Sequence, residues 1–279
     1  MTPILGKLLR EARRRRKRFQ LARTPQSPSD AGVLNRQVTE SDIATALRSA
    51  ELAEEWADVD TTLSSIEITD RAESVNPGDR RTIYYLVRYF RPHRVLEIGT
   101  HLGASTIHIA AALRRIDEED AEGERHVTTV DIQDVNDEAT GWWRRHGSAF
   151  SPAETARRLG LASRISFVTR PSLEYLALCD EQFDLIFLDG DHTARTVYRE
   201  VSAALRLLRS GGVILLHDYF PEAKPLWPGE NVIEGPWLAI ERLRTEGAAL
   251  CAIPLGDVPW PTKFGSQRTS LAVLVGSKA

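Results

Sequence analysis

A chain of 279 residues, 42% of them hydrophobic, can bury the core of one large α/β domain with an N-terminal extension, but not two domains of full size. Its formal net charge of -3 provides no global basic field for nucleic acid and no extreme acidity. Cys179 and Cys251 lie far apart with no CxxC or Cys/His spacing, which argues against a disulfide framework and points to reduced thiols in a cytoplasmic setting.

No apolar run approaches the roughly 18 to 20 residues that a membrane span requires, and the charged N-terminus lacks the apolar core and cleavage site of a signal peptide. Residues 1–37 read as a flexible basic arm and linker. Lys7, Arg10, Arg13, Arg14, Arg15, Arg16, Lys17 and Arg18 accompany Ile4, Leu5, Leu8 and Leu9, and TPQSPS (Thr24 to Ser29) marks the connection. Such an arm is either a solvated tail or a contact for an anionic membrane surface or nucleic acid. Residues 38–75 form a helical extension, with a helix from about Ser41 to Ala57.

The main domain, 76–279, begins at Asn76 and Pro77, a good helix start followed by an apolar stripe of Ile83, Leu86, Val87 and Phe90. Strands are then predicted at Arg94 to Ile98, His126 to Ile132, Arg164 to Thr169, Phe183 to Leu188 and Gly212 to Leu216. Helices are predicted at Ala104 to Arg115, Pro152 to Gly160, Ser172 to Leu178 and Thr193 to Leu208. This alternation implies an α/β doubly wound sheet of mostly parallel strands. The tail adds a helix near Trp237 to Thr245 and apolar runs at Ala249 to Pro254 and Ser270 to Val275.

The segment VLEIGTHLGAST (Val95 to Thr106) joins a buried strand, a carboxylate, a glycine loop and a helix start. Its glycines allow close backbone approach to a ligand, yet Gly99 and Gly103 match neither GxGxxG nor GxxxxGK. Glu97 would repel a pyrophosphate and attract a sulfonium and an amino group, so the charge favours S-adenosylmethionine over NAD or ATP. HVTTVDI (His126 to Ile132) ends a second strand with Asp131, suited to accept hydrogen bonds from a ribose diol.

Together with FDLIFLDGDH (Phe183 to His192) and GGVILLHDY (Gly211 to Tyr219), these segments resemble the class I S-adenosylmethionine-dependent methyltransferases, specifically the catechol-type and macrocin-type O-methyltransferases. The resemblance spans roughly Asn76 to Val275, and His101 stands where the usual loop has its middle glycine. It implies a Rossmann-like, seven-stranded sheet with the last strand antiparallel, and S-adenosylmethionine as cofactor. It further implies cofactor contacts at Glu97, Gly99, Thr100, Gly103, Ser105, Asp131, Ser172 and Asp189. A divalent metal, magnesium or manganese, is expected at Asp189, His217 and Asp218. Magnesium prefers oxygen ligands whereas imidazole suits manganese, iron or zinc, so either the metal differs or His217 stands beside the ligands.

The resemblance also offers His192 or Asp191 as the base that takes the acceptor's proton. Tyr219 to Trp237, rich in Pro, Gly and aromatics, suits a lid, and Trp142 and Trp143 could form another wall. The leading expectation is O-methylation of a hydroxyl on a small sugar-bearing or phenolic metabolite, with the acceptor and any homo-oligomeric state left open. Alternatives are a metal-independent N-methyltransferase, a binding protein attached to a membrane or nucleic acid through its arm, and an NAD-dependent oxidoreductase, the last disfavoured by Glu97 and the missing third glycine.

Overall fold

The computed structural model describes residues 15–27, 30–64, 74–120, 123–228 and 232–277. The described part of α1 (residues 15–22) precedes α2 (Glu40–Ala46), α3 (Ala50–Ser64) and α4 (Pro77–Phe90). The alternating core follows: β1 (Arg94–Ile98), α5 (Ala104–Glu119), β2 (His126–Asp131), α6 (Trp142–Arg145), α7 (Pro152–Arg158), β3 (Ile165–Thr169), α8 (Ser172–Leu178) and β4 (Phe183–Leu188). It continues through α9 (Ala194–Leu207), β5 (Leu208–Leu216), α10 (Gly235–Thr245), β6 (Leu250–Pro254) and β7 (Ala272–Gly276). Among the described residues, no helix is long and apolar enough to cross a membrane.

The seven strands run in the order β3-β2-β1-β4-β5-β7-β6. β1 to β5 pair in parallel, and β7 lies antiparallel between β5 and β6. The winding direction reverses between β1 and β4, so a crevice opens beyond the carboxyl ends of those strands. Alternating side chains feed the two faces of the sheet. Val95, Leu185 and Phe187 pack against α4 and α5, while Leu96, Ile98, Ile186 and Leu188 pack against α9 and α10.

The helix expected from Ser41 to Ala57 is broken in two. α2 starts with a capping box between Thr39 and Asp42, and the chain restarts as α3 after Ser49, whose hydroxyl accepts a bond from the Leu52 N–H. Trp56, Val59 and Leu63 join the same core as α4 and α5, so this extension is docked on the main domain. Trp56 meets Tyr84 edge to face at 5.2 Å. Below that contact, the buried Arg88 guanidinium holds both Glu55 oxygens at 2.7 Å, and it also pairs with Glu119 of α5.

The arm also differs from expectation. Leu21 and Leu34 are buried in the core on the α9 and α10 side, and Leu34 bridges to Gly212 of β5. Arg242 donates to the carbonyls of Leu21 and Thr24, and the Ser27 N–H donates to the Tyr198 hydroxyl at 3.0 Å. These backbone bonds fasten a segment expected to be flexible, because buried carbonyls need donors and α9 and α10 supply them. Arg15, Arg16, Arg18 and Phe19 remain exposed, and Lys17 reaches Glu234 at 3.5 Å. Lys7, Arg10, Arg13 and Arg14 lie outside the described residues.

Glu97 is fully buried under the helix start of α5. Its Oε2 accepts from the hydroxyls of Thr106 and Thr129, the latter at 2.6 Å, which tie β1 to α5 and β2. Burial pushes the carboxyl up to about 7, against the opposing pull of the Ser105, Thr106 and Thr129 hydroxyls.

Two outcomes follow for stability. Glu55→Ala strands part of a buried guanidinium and should cost about 3 kcal/mol, lowering Tm by about 6 to 12 °C in a thermal melt. An unchanged Tm would show that α3 is not fastened by this pair. Glu97 is protonated in both folded and unfolded chains below its ordinary value of 4.5, but above that value only the unfolded chain ionises freely until about pH 7. Stability should therefore fall by about 3 kcal/mol over that window, and denaturant titrations of Glu97→Gln should lack this part of the slope.

Candidate active site

The hydrogen-bond ladder of the parallel strands continues one residue past their ends, which sets the site in line. The Gly99 N–H donates to the Val130 carbonyl at 2.9 Å, Asp189 N–H to Ile98 at 2.9 Å, and His217 N–H to Leu188 at 3.1 Å. Gly99, Asp189 and His217 thus stand in a row along one edge of the sheet, with Asp131 at the end of β2. Gly99 has φ 101°, and a Cβ there would fall 2.3 Å from the Asp189 carbonyl oxygen, so only glycine permits this approach.

A cavity of about 790 Å³ opens over this edge. Gly99, Thr100, Ser105, Asp131, Ser172 and Asp189 line it, whereas Glu97 and Gly103 do not. Glu97 lies behind the wall, and its Oε1 is buried without a hydrogen-bond partner among the described residues. Gly103 has φ 73° and opens α5 against Pro152, so its part is to turn the chain. Thr100 is buried, its hydroxyl 2.7 Å from that of Thr129.

Asp131 accepts the His101 N–H at 2.9 Å on one oxygen and the Gln133 N–H at 2.9 Å on the other. These bonds aim the carboxylate, and each oxygen keeps a further lone pair for a ligand. The exposed Ile132 beside it supplies an apolar surface. Ser172 donates inward to Glu200 at 2.5 Å, while Pro171 occupies the cap position of α8. Burial pushes the Glu200 carboxyl up to about 7. Trp142 lines the cavity, meets His101 edge to face and lies tilted against His146, but Trp143 turns into the interior.

At the other end of the cavity, ligand atoms of Asp189, His192 and Asp218 all lie within 4.8 Å of one another. His192 Nε2 is 3.5 Å from Asp218 Oδ2, and a Cβ on Gly235 of α10 would fall 1.9 Å from the His192 carbonyl oxygen. Asp218 is held at φ 53°, and its Oδ1 accepts from Ser270 at 3.2 Å. Burial opposes its ionisation, but His217, His192 and Lys263 together hold its carboxyl below the ordinary range.

His217, expected among the metal ligands, is differently engaged. Its Nδ1 is 3.0 Å from Asp189 Oδ1 and its Nε2 is 3.2 Å from Asp79 Oδ2. Burial works against the charged imidazole, yet the Asp189 and Asp218 carboxylates prevail and hold its pKa well above the ordinary value. A ring with both nitrogens turned to carboxylates keeps no lone pair for a cation. Asp191 is likewise occupied: it accepts from the Thr193 N–H at 2.8 Å and the Thr196 hydroxyl at 2.7 Å at the start of α9. These bonds brace Thr193, the N-cap of α9, and occupy both carboxylate oxygens of Asp191.

Of the expected lid, Tyr219, Phe220 and Trp227 turn inward, and Trp227 donates to Ser266 at 2.6 Å. Among its described residues Ile233 lines the cavity, and Lys263, far along the chain, joins it there. Residues 229–231 of that segment lie outside the described residues. Nothing in the sequence marks Asp79, because an acidic residue in the first turn of a helix reads as an ordinary cap partner.

A family model described as a methyltransferase domain matches residues 96–219. The O-methyltransferase hkm8 of Aspergillus hancockii is 31% identical over 129 residues, covering 46% of this chain and 43% of that protein. A "probable O-methyltransferase" of Mycobacterium tuberculosis is 29% identical over 192 residues, covering 67% of this chain and 75% of that protein. The chain spans about half the length of the first curated relatives it matches. Among solved structures, an O-methyltransferase of Bacillus cereus in complex with SAH aligns with a TM-score of 0.52 at 20% identity, covering 82% of this chain and 92% of that one. An O-methyltransferase of Streptomyces achromogenes in complex with SAM, involved in tomaymycin synthesis, aligns with a TM-score of 0.52 at 20% identity, covering 81% and 98%. At such identities the two structures speak for the fold. The match to the methyltransferase-domain model itself runs from β1 to the residues just past β5, the stretch whose strand ends build the cavity.

Proposed function

We propose that this chain is an O-methyltransferase that moves a methyl group from S-adenosylmethionine to a hydroxyl of a small sugar-bearing or phenolic metabolite, with a divalent cation at the acceptor end. The observation that carries this reading is the continuity of one cavity from the Gly99 to Ser105 loop and Asp131 to Asp189, His192 and Asp218. That cavity falls within the usual size range of small-molecule sites. The curated relatives named as O-methyltransferases support oxygen as the acceptor atom.

On the cofactor side, Asp131 is aimed to hold a ribose diol, the loop backbone approaches the chain of the ligand, and Ile132 offers an apolar face to the base. Behind the cavity wall, the unpartnered Oε1 of Glu97 supplies an acidic group on the side where the cofactor's cationic end would lie. On the acceptor side, two carboxylates and an imidazole with clustered ligand atoms fit a divalent ion, and the imidazole favours manganese over magnesium. Such an ion would lower the pKa of a bound hydroxyl, the step that makes oxygen nucleophilic at neutral pH. His192 is thereby a ligand in preference to the base expected from the sequence, because its ring nitrogen converges with both carboxylates. The protein's remaining task is to hold the acceptor oxygen in line with the methyl group.

Two measurements check the division of roles. Asp131→Ala should weaken SAH binding in calorimetry by about tenfold or more, at the level of about 1.4 kcal/mol per tenfold, while Asp189→Ala spares it and abolishes turnover. Equal loss of affinity in both would contradict that assignment. Chelator should remove activity and added manganese should restore it, and His192→Ala should bind manganese at least about tenfold more weakly. Undiminished manganese binding by His192→Ala, with turnover lost at neutral pH, would return the histidine to the role of base.

A further inference from the structure

Asp79 stands on α4, outside the segments that form the loop and the acidic end of the cavity, yet its carboxylate is fully buried and turned toward them. The first turn of α4 is fixed from several sides. Asn76 Nδ2 donates to Asp79 Oδ2 at 2.6 Å, and the Asp79 N–H donates back to Asn76 Oδ1 at 3.1 Å. The Trp260 indole donates to the Gly78 carbonyl at 2.8 Å, and a Cβ on Gly78 would fall 2.2 Å from the Pro261 carbonyl oxygen. Burying a carboxylate this deeply is costly unless a polar partner answers it. Here Asp79 Oδ2 is answered by Asn76 and by His217, whose Nε2 faces it at 3.2 Å and whose Nδ1 faces Asp189 Oδ1 at 3.0 Å, while Asp79 Oδ1 is buried without a hydrogen-bond partner among the described residues.

We propose that Asp79 is a positioning residue: through His217 it fixes the orientation of the Asp189 carboxylate, so that Asp189, His192 and Asp218 meet at a single point for a divalent cation. The inference rests on the metal-assisted reading above. Its physical basis is that a carboxylate ligand left to rotate must be ordered when the ion binds, whereas one already held by a hydrogen bond need not be. His217 is suited to the bridge because its two nitrogens point in different directions from one rigid ring. Its backbone is in turn held by the strand ladder, through its N–H to Leu188.

The test is the affinity of the full chain for manganese alone, read from the electron paramagnetic resonance of free Mn²⁺, in wild type, Asp79→Asn, His217→Gln and the double variant. Gln can reach one carboxylate but not both. Asp79→Asn is expected to weaken Mn²⁺ binding by about 10- to 100-fold while leaving SAH affinity as in wild type, His217→Gln to weaken it similarly, and the double variant to be no weaker than either. Wild-type Mn²⁺ affinity in Asp79→Asn would overturn the proposal, as would losses that add in the double variant. If Asp79→Asn does not fold, His217→Gln decides alone: wild-type affinity there overturns the bridge, and a comparable loss supports it. Absence of Mn²⁺ binding by the wild type would overturn the metal-assisted reading itself, and this inference with it.

Discussion

The constraint on which the site depends is the passage of Gly99 against the carbonyl of Asp189. β1 and β4 are neighbours in the sheet although a long stretch of chain separates them, and their ladder runs on past the strand ends. Any side chain at Gly99 would strike the Asp189 backbone, so glycine there is what lets the loop after β1 and the acidic turn after β4 share one wall. The left-handed conformations at His101 and Gly103 then swing the chain into α5, with Glu97 sealed beneath. The glycine-loop end and the acidic end can belong to a single cavity because this seam closes.

Electrostatics divides that cavity. At the loop end, the one free carboxylate oxygen of Glu97 is behind the wall and Asp131 is on it, each oriented by neutral donors. At the far end, Asp79, Asp189 and Asp218 gather around His217, with His192 opposite. Three carboxylates in so small a volume would repel one another, and the buried imidazole between them is the protein's own counter-charge. The open side of the group, at Asp189, His192 and Asp218, is where the proposed cation would be held.

Much of the sheet could be read from local patterns, since strands buried on both faces appear as short apolar runs ending in Gly or Asp. Arg94 to Ile98 and Phe183 to Leu188 coincide with β1 and β4 in full. The helix predicted through Ser41 to Ala57 hides a break, because the polar residues at Arg48 and Ser49 look equally at home on an exposed helical face. The arm was legible as charge but not as structure: Leu21 and Leu34 give no periodic signal, and the donors that fasten them, Arg242 and Tyr198, come from far along the chain. In the site, motif residues were visible because each follows a strand end. Asp79 and Lys263 reach the site from other elements and carry no such mark.

By itself, the sequence determined the order of strands and helices along the chain, the glycine loop, the acidic strand ends and the family they resemble, because each is encoded in residues adjacent along the chain. Which functional groups face which was decided only by the tertiary structure. His217 reads as a candidate ligand until α4 brings Asp79 to its far nitrogen, and Asp191 reads as a base until the start of α9 claims both its oxygens. The physical reason is that a side chain's chemistry depends on its partners, and the partners that matter here come from separate elements that only the packed sheet brings together.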